Sequence, residues 1–281
     1  MAGPDTDAAA FWNGPMTRAW ASEHACIDAL FAGVLDLALA AAAPRPGERV
    51  IDIGCGSGTS LLALAERVGP SGRVLGLDLA RESVAVAQRR IAAAGLRQAA
   101  AEIADAGAHP LPAAGFDLLF SRFGVMFFAE PVAAFRHLRA ALRPGGRFCA
   151  AAFRAPEANP WTSAPAAAIR GLVPPQPPPP PPDAPGQFGW ARAERVRGIL
   201  EGAGFAAVQV TPRDLGFRLG ADPAAAARTA MTFGAVSRAL FEADAATRAT
   251  AQMGLETFFA AHQGAEGVVM PAAIWIVTAA A

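Results

Sequence analysis

The residues best placed to do chemistry stand where apolar runs end. Val50-Ile51-Asp52-Ile53-Gly54-Cys55-Gly56-Ser57-Gly58 carries one acid into three glycines at alternate positions. Val74-Leu75-Gly76-Leu77 ends on Asp78, Ile103-Ala104 on Asp105, and Phe116-Asp117-Leu118-Leu119-Phe120 on Ser121-Arg122-Phe123. Glycine lets a backbone turn tightly or touch a ligand where a Cβ would clash, so the first run reads as a strand, a ligand-hugging turn and a helix start. A dinucleotide fingerprint fails because Thr59 stands at its last glycine, and a phosphate-binding loop fails because no Gly-Lys-Ser/Thr follows. Asp52 would repel a phosphate and suits a ligand that presents an ammonium group. Asp78 can accept a pair of hydroxyls or cap the helix before Ser83. Arg122 can grip a carboxylate through two parallel N–H bonds or sit in a structural ion pair.

The elements that must position these residues alternate regularly. Short apolar runs predict strands at 49–53, 73–78, 100–104, 116–121 and 147–153, with helices at 57–68, 81–94 and 131–142 between them. On the last helix Val132, Phe135, Leu138 and Leu142 face inward while Arg136, His137 and Arg139 face solvent, with Pro131 before it and Pro144-Gly145-Gly146 after. Such alternation implies right-handed crossovers and a parallel sheet with helices on both faces, whose ligands lie outside the carboxyl ends of the strands. A single helix over 17–42 precedes the core, with Trp20, His24, Ile27, Phe31 and Val34 on one stripe. Six prolines at 177–182 predict a semi-rigid strut on a lid. Helix and strand patterns resume at 191–203 and 206–211, the latter continuing loosely to 219. Helices follow at 223–242 and 245–262, and a last strand at 272–278.

Asp-x-Gly-x-Gly-x-Gly at 52–58, with acids closing the next two strands, resembles the cofactor motif of class I S-adenosylmethionine-dependent methyltransferases. The segment 121–128 and the helix after Pro131 are similar to the ubiquinone/menaquinone methyltransferase-like branch. The resemblance implies a Rossmann-like α/β fold with a seven-stranded, mostly parallel sheet whose last strand runs antiparallel, plus helical and proline-rich cap insertions. It also implies the site. Asp52, Gly54, Gly56 and Gly58 meet the amino-acid end of the cofactor. Asp78, with Leu79 beside it, takes the ribose hydroxyls. Asp105 takes the adenine amino group and the Ala106 N–H a ring nitrogen, with a surface loop acid as the alternative reading of Asp105. Ser121 lines cofactor and acceptor together, and Trp20 on the N-terminal helix covers the pocket. S-adenosylmethionine is then the cofactor and S-adenosylhomocysteine the product.

The acceptor is a small molecule, mostly apolar or aromatic, because the cap and the 122–128 turn are rich in aromatic residues. Arg122, Phe123, Phe127, Trp161 and Trp190 are the expected substrate contacts, and His24 is the first candidate for a general base. A histidine on an apolar face is as readily a packed core residue. His109 reads as a loop residue and His262 as a helix-end complement to the dipole. No His/carboxylate cluster suggests a metal. A non-methylating enzyme of the same fold (decarboxylation, hydroxylation or cyclisation), a non-catalytic cofactor-binding partner and a nicotinamide oxidoreductase stand as alternatives.

Composition sets the outer bounds. The 281 residues hold 24 basic and 24 acidic side chains, every basic one an arginine, so no electrostatic footprint for nucleic acid is expected. Asp5 and Asp7 replace the basic flank of a signal peptide, and no unbroken apolar window is long enough for a membrane span. Cys26, Cys55 and Cys149 are widely separated, which fits a reducing cytoplasm, with Cys55 a small packed residue. The expected layout is a helical cap over 1–43, a cofactor-binding core over 44–154, a proline-rich lid over 155–190, and the end of the sheet over 191–281 with a helical insertion at 221–265. A homodimer is compatible with all of this.

Overall fold

A computed structural model describes residues 4–175, 178 and 180–281. Pro177 and Pro179 of the expected strut lie outside the described residues. In chain order the elements are α1 (Pro4–Trp12), α2 (Ala19–Ser22), α3 (His24–Leu30), α4 (Ala32–Ala42), β1 (Arg49–Ile53), α5 (Thr59–Val68), β2 (Arg73–Asp78), α6 (Arg81–Ala94), β3 (Ala99–Ile103) and β4 (Phe116–Arg122). Then come α7 (Pro131–Ala141), β5 (Leu142–Phe153), α8 (Pro160–Ala168), α9 (Ala193–Gly202), β6 (Ala206–Gly220), α10 (Pro223–Thr232), α11 (Gly234–Ala239), α12 (Ala245–Ala260), β7 (Gln263–Gly264) and β8 (Gly267–Ala280).

The sheet runs β3-β2-β1-β4-β5-β8-β6, with β8 antiparallel to both its neighbours and the rest of the order parallel. It has eight strands where seven were expected, because the two-residue β7 pairs with the start of β8. The strand order reverses at β1/β4, and that switch point is where open α/β sheets bind ligands.

Register decides which side chains share a face. Asp52 pairs with Phe120, and Phe120 with Cys149, so these residues and Arg122, two positions on, point to one side. Cys149 Sγ lies 3.5 Å from the Ala38 carbonyl of α4, and Asp52 meets Ser60 of α5. This face is therefore the one covered by α4 and α5, and α6 packs beside α5. Phe148 points the other way, onto Phe135 of α7 (ring centroids 5.2 Å apart) and Phe205 beyond α9.

Three expected elements came out differently. The 17–42 helix is broken into α2, α3 and α4, with a 63° bend between the last two. Phe31 sits at that break with φ −102° and ψ 13°, and its buried ring packs on Phe123 and Phe217, so aromatic packing outweighs helix propensity. The 223–242 helix is interrupted by extended Phe233 and by Gly234 at φ +83°, a left-handed conformation that favours glycine. Pro144-Gly145-Gly146 does not end the helix but forms a bulge within β5, where the register with β4 jumps from Phe116↔Leu142 to Leu118↔Arg147.

Candidate functional site

The glycine turn after β1 is held by its neighbours on both sides. Toward β2, Asp78 accepts from the backbone N–H of Gly56 through Oδ2 and from that of Ala80 through Oδ1, each at 2.8 Å. Toward β4, the Ser121 hydroxyl donates to the Ile53 carbonyl at 2.8 Å and accepts from the Gly124 N–H at 3.1 Å. A Cβ on Gly124 would come within 2.5 Å of the Ile53 oxygen, so the two turns meet backbone to backbone. Gly56 has φ +51°, and a Cβ there would enter open space, which marks the outward lip of the turn. Cys55 packs beneath, against Gly76, as expected of a small buried residue.

Asp52 is fully buried, not exposed on the lip. Its Oδ2 accepts from the Ser60 hydroxyl at 2.6 Å, while Oδ1 has no partner among the described residues. Burial pushes this carboxyl up to about 7, against the lowering effects of Ser60 and the Arg122 charge. Arg122, the last residue of β4, is also largely buried, with its guanidinium 5.9 Å from the centre of the Phe31 ring. Asp28 of α3 lies 3.8 Å from Arg122 and 3.1 Å from Arg90 of α6, and it accepts from the Thr59 hydroxyl. Arg90 also donates to the Ser57 carbonyl at 2.8 Å. Asp28 and Arg90 thus tie the cap to the glycine turn, and neither stood out in the sequence, because nothing local links residues 28, 90 and 122.

The N-terminal segment crosses the ends of β1 and β2. Asn13 donates to the Leu79 carbonyl at 2.9 Å and accepts from the Arg81 N–H at 3.0 Å, and the Ser57 hydroxyl reaches the Trp20 carbonyl at 3.4 Å. Trp12 packs edge-on against Phe127 at 5.0 Å, and Trp20 lies 5.9 Å from Phe233 of the helical insertion. His24 is half-buried, and its Nδ1 lies 2.9 Å from the Ala21 carbonyl. A carbonyl only accepts, so Nδ1 is the donor in this contact and Nε2 is the ring nitrogen left over. After β3, Asp105 accepts from the Gly107 N–H at 2.8 Å and folds the loop that buries Ala106. His137, expected in solvent, is instead bonded to the His109 carbonyl at 2.8 Å, which pins this loop to α7.

Of the expected acceptor contacts, Phe123 and Trp161 come together. Phe123 adopts φ +68°, unusual for a bulky residue, and stacks on Phe153 at 4.0 Å with Phe31 edge-on at 5.1 Å. Trp161 packs on Phe153 and Phe217. Trp190 does not join them. Its ring is buried against Phe135 and Phe148 on the opposite face of the sheet, where it serves the core.

Comparison with known proteins agrees with this geometry. A family profile described as "Methyltransferase domain" matches residues 44–170. Aklanonic acid methyltransferase DauC of Streptomyces sp. (strain C5) is 35% identical over 114 residues, 40% of this chain and 52% of that protein. Nocamycin O-methyltransferase of Saccharothrix syringae is 54% identical over 41 residues, 15% of each chain. The chain thus spans about half or less of the length of these curated relatives. The YcgJ protein of Bacillus subtilis shares the fold, with TM-score 0.57 and 18% identity over 88% of this chain and 97% of that one. Residues 44–170 thus match a methyltransferase domain, and the proteins this part of the chain is similar to are named as methyltransferases.

Proposed function

We propose that the protein transfers a methyl group from S-adenosylmethionine to a small, mostly apolar or aromatic acceptor. The observation that carries this reading is the glycine turn of β1, braced by Asp78 and Ser121 beneath an aromatic cap. The residues present fit the cofactor. Gly56 offers a lip with no Cβ, Asp52 Oδ1 is a buried acceptor without a partner, and the oxygens of Asp78 keep lone pairs beyond the two backbone bonds they accept.

In this reading Gly54, Gly56 and Gly58 admit the amino-acid end, with Asp52 toward its ammonium. Asp78 beside Leu79 holds the ribose, and Asp105 with the Ala106 N–H holds the adenine. When bound, S-adenosylmethionine supplies an electrophilic methyl group on a sulfonium that is already a good leaving group. The chain's contribution is alignment of the acceptor and exclusion of water. Trp12, Trp20 and Phe127 shield the pocket, and Phe123 and Trp161 orient the acceptor against Phe31 and Phe153. His24 Nε2 takes a proton from an acceptor that must lose one. The two relatives named for nocamycin and aklanonic acid support a natural-product acceptor. The three free cysteines support a reducing, cytoplasmic setting.

Calorimetry with S-adenosylhomocysteine, followed by incubation of the protein with S-adenosylmethionine and a small-molecule extract, tests the proposal. Micromolar binding and acceptor-dependent release of S-adenosylhomocysteine are expected. Binding without release would point to a non-methylating or non-catalytic role, and no binding would overturn the reading.

A further inference from the structure

Arg122 is a buried cation whose hydrogen-bonding capacity is largely unused. Its side chain is 12% exposed, Nη1 has no partner, and among the described residues the guanidinium makes no hydrogen bond. The nearest carboxylate, Asp28, is 3.8 Å from Nη2, beyond hydrogen-bonding distance. Asp28 is also committed elsewhere, to Arg90 at 3.1 Å and to the Thr59 hydroxyl. The other acid on this face, Asp52, takes its one hydrogen bond from Ser60. Two arginines thus face two carboxyls, one of which burial makes harder to ionise than an ordinary aspartate. A guanidinium nitrogen kept from water without a partner, as Nη1 is among the described residues, is costly unless a ligand completes it.

Geometry says which kind. The guanidinium presents donors as a planar fork, which matches the two oxygens of a carboxylate. It stands at the carboxyl end of β4, beside the switch point of the sheet, with the aromatic ring of Phe31 alongside. We propose that Arg122 anchors a ligand carboxylate in this site, with Asp28 of the cap steadying the guanidinium from its other edge. The inference rests on the methyltransferase reading and adds an anionic subsite to it. The carboxylate is either the one on the amino-acid end of the cofactor or an acid group on the acceptor.

The test compares wild type with R122M by calorimetry, using four compounds. These are S-adenosylhomocysteine, 5′-methylthioadenosine (which keeps the adenosine and thioether but lacks the amino-acid end), and 2-naphthoate against 2-naphthamide in the presence of S-adenosylhomocysteine. If the cofactor supplies the carboxylate, R122M weakens S-adenosylhomocysteine on the order of 10- to 100-fold and leaves 5′-methylthioadenosine unchanged. If the acceptor supplies it, R122M leaves both nucleosides unchanged and abolishes a binding of 2-naphthoate that 2-naphthamide does not share. Should R122M fail to fold, R122K, which keeps the charge without the fork, carries the same comparison with a smaller loss. Unchanged S-adenosylhomocysteine affinity with no Arg122-dependent binding of 2-naphthoate overturns the proposal. Failure of the wild type to bind either nucleoside would instead sink the methyltransferase reading beneath it.

Discussion

Asp52→Asn removes a carboxyl that sits wholly inside the protein, with one oxygen bonded to Ser60 and the other without a partner among the described residues. Burial pushes it from an ordinary value of 3.8 up to about 7, while Ser60 and Arg122 lower it in part. In the unfolded chain the same carboxyl ionises near its ordinary value. Between about pH 4 and 7 the folded protein therefore holds a proton that the unfolded chain has released. Stability from this group is full below the unfolded value and is lost as pH rises through the folded one. The whole displacement corresponds to about 4 kcal/mol, and roughly 2.5 kcal/mol of it falls between pH 5 and pH 8. Asparagine keeps the volume and the acceptor for Ser60 but does not titrate. Urea unfolding of both proteins across pH 5–8 reads the effect, because contributions from the histidines and other acids cancel in the difference. The variant should gain roughly 2.5 kcal/mol on the wild type over that range. Parallel pH profiles would show that Asp52 is solvated or paired in solution, and the account of a buried, half-satisfied carboxyl would be wrong.

Three further outcomes follow from the same geometry. Asp78→Asn turns one of two backbone acceptors into a donor facing an N–H, so the glycine turn loosens and S-adenosylhomocysteine should bind at least about tenfold more weakly by calorimetry; an unchanged Kd would count against the brace. Gly124→Ala drives a Cβ to 2.5 Å from the Ile53 carbonyl oxygen, and a loss of about 1–3 kcal/mol in urea unfolding is expected. Wild-type stability in that variant would mean that the two turns are not in backbone contact. His24→Ala should leave S-adenosylhomocysteine affinity intact and slow turnover by about 10²- to 10⁴-fold. Undiminished kcat would remove His24 from the chemistry.

Much of the site can be read locally. The spacing at 52–58 announces a strand, a tight turn and a helix start, since a buried strand and a left-handed glycine each leave a mark on a few adjacent residues. Asp78, Asp105 and Ser121 are legible for the same reason, each closing a short apolar run, and the structure puts all three at the carboxyl ends of β2, β3 and β4. Gly124 left a weaker signal, a glycine just past the β4 run, whose purpose emerges only when Ile53 is found against it. The helices were harder. Periodicity foresaw one rod over 17–42, but a periodic stripe does not say where a ring such as Phe31 will find a better neighbour by bending the chain.

The sequence by itself thus determined the glycine turn, the order of strands and helices, and the acids at the strand ends, because each is encoded in residues close together in the chain. Only the tertiary structure decided which of the aromatic and charged residues share the pocket. Register sets this. Pairing Asp52 with Phe120 and Arg122 with Ala151 turns both charged groups to the face of α4 and α5, while Phe148 turns to the other side and takes Trp190 into the core. Asp28, Arg90 and Arg122 meet for the same reason, since three separate elements must first be laid on one sheet before their charges can face each other.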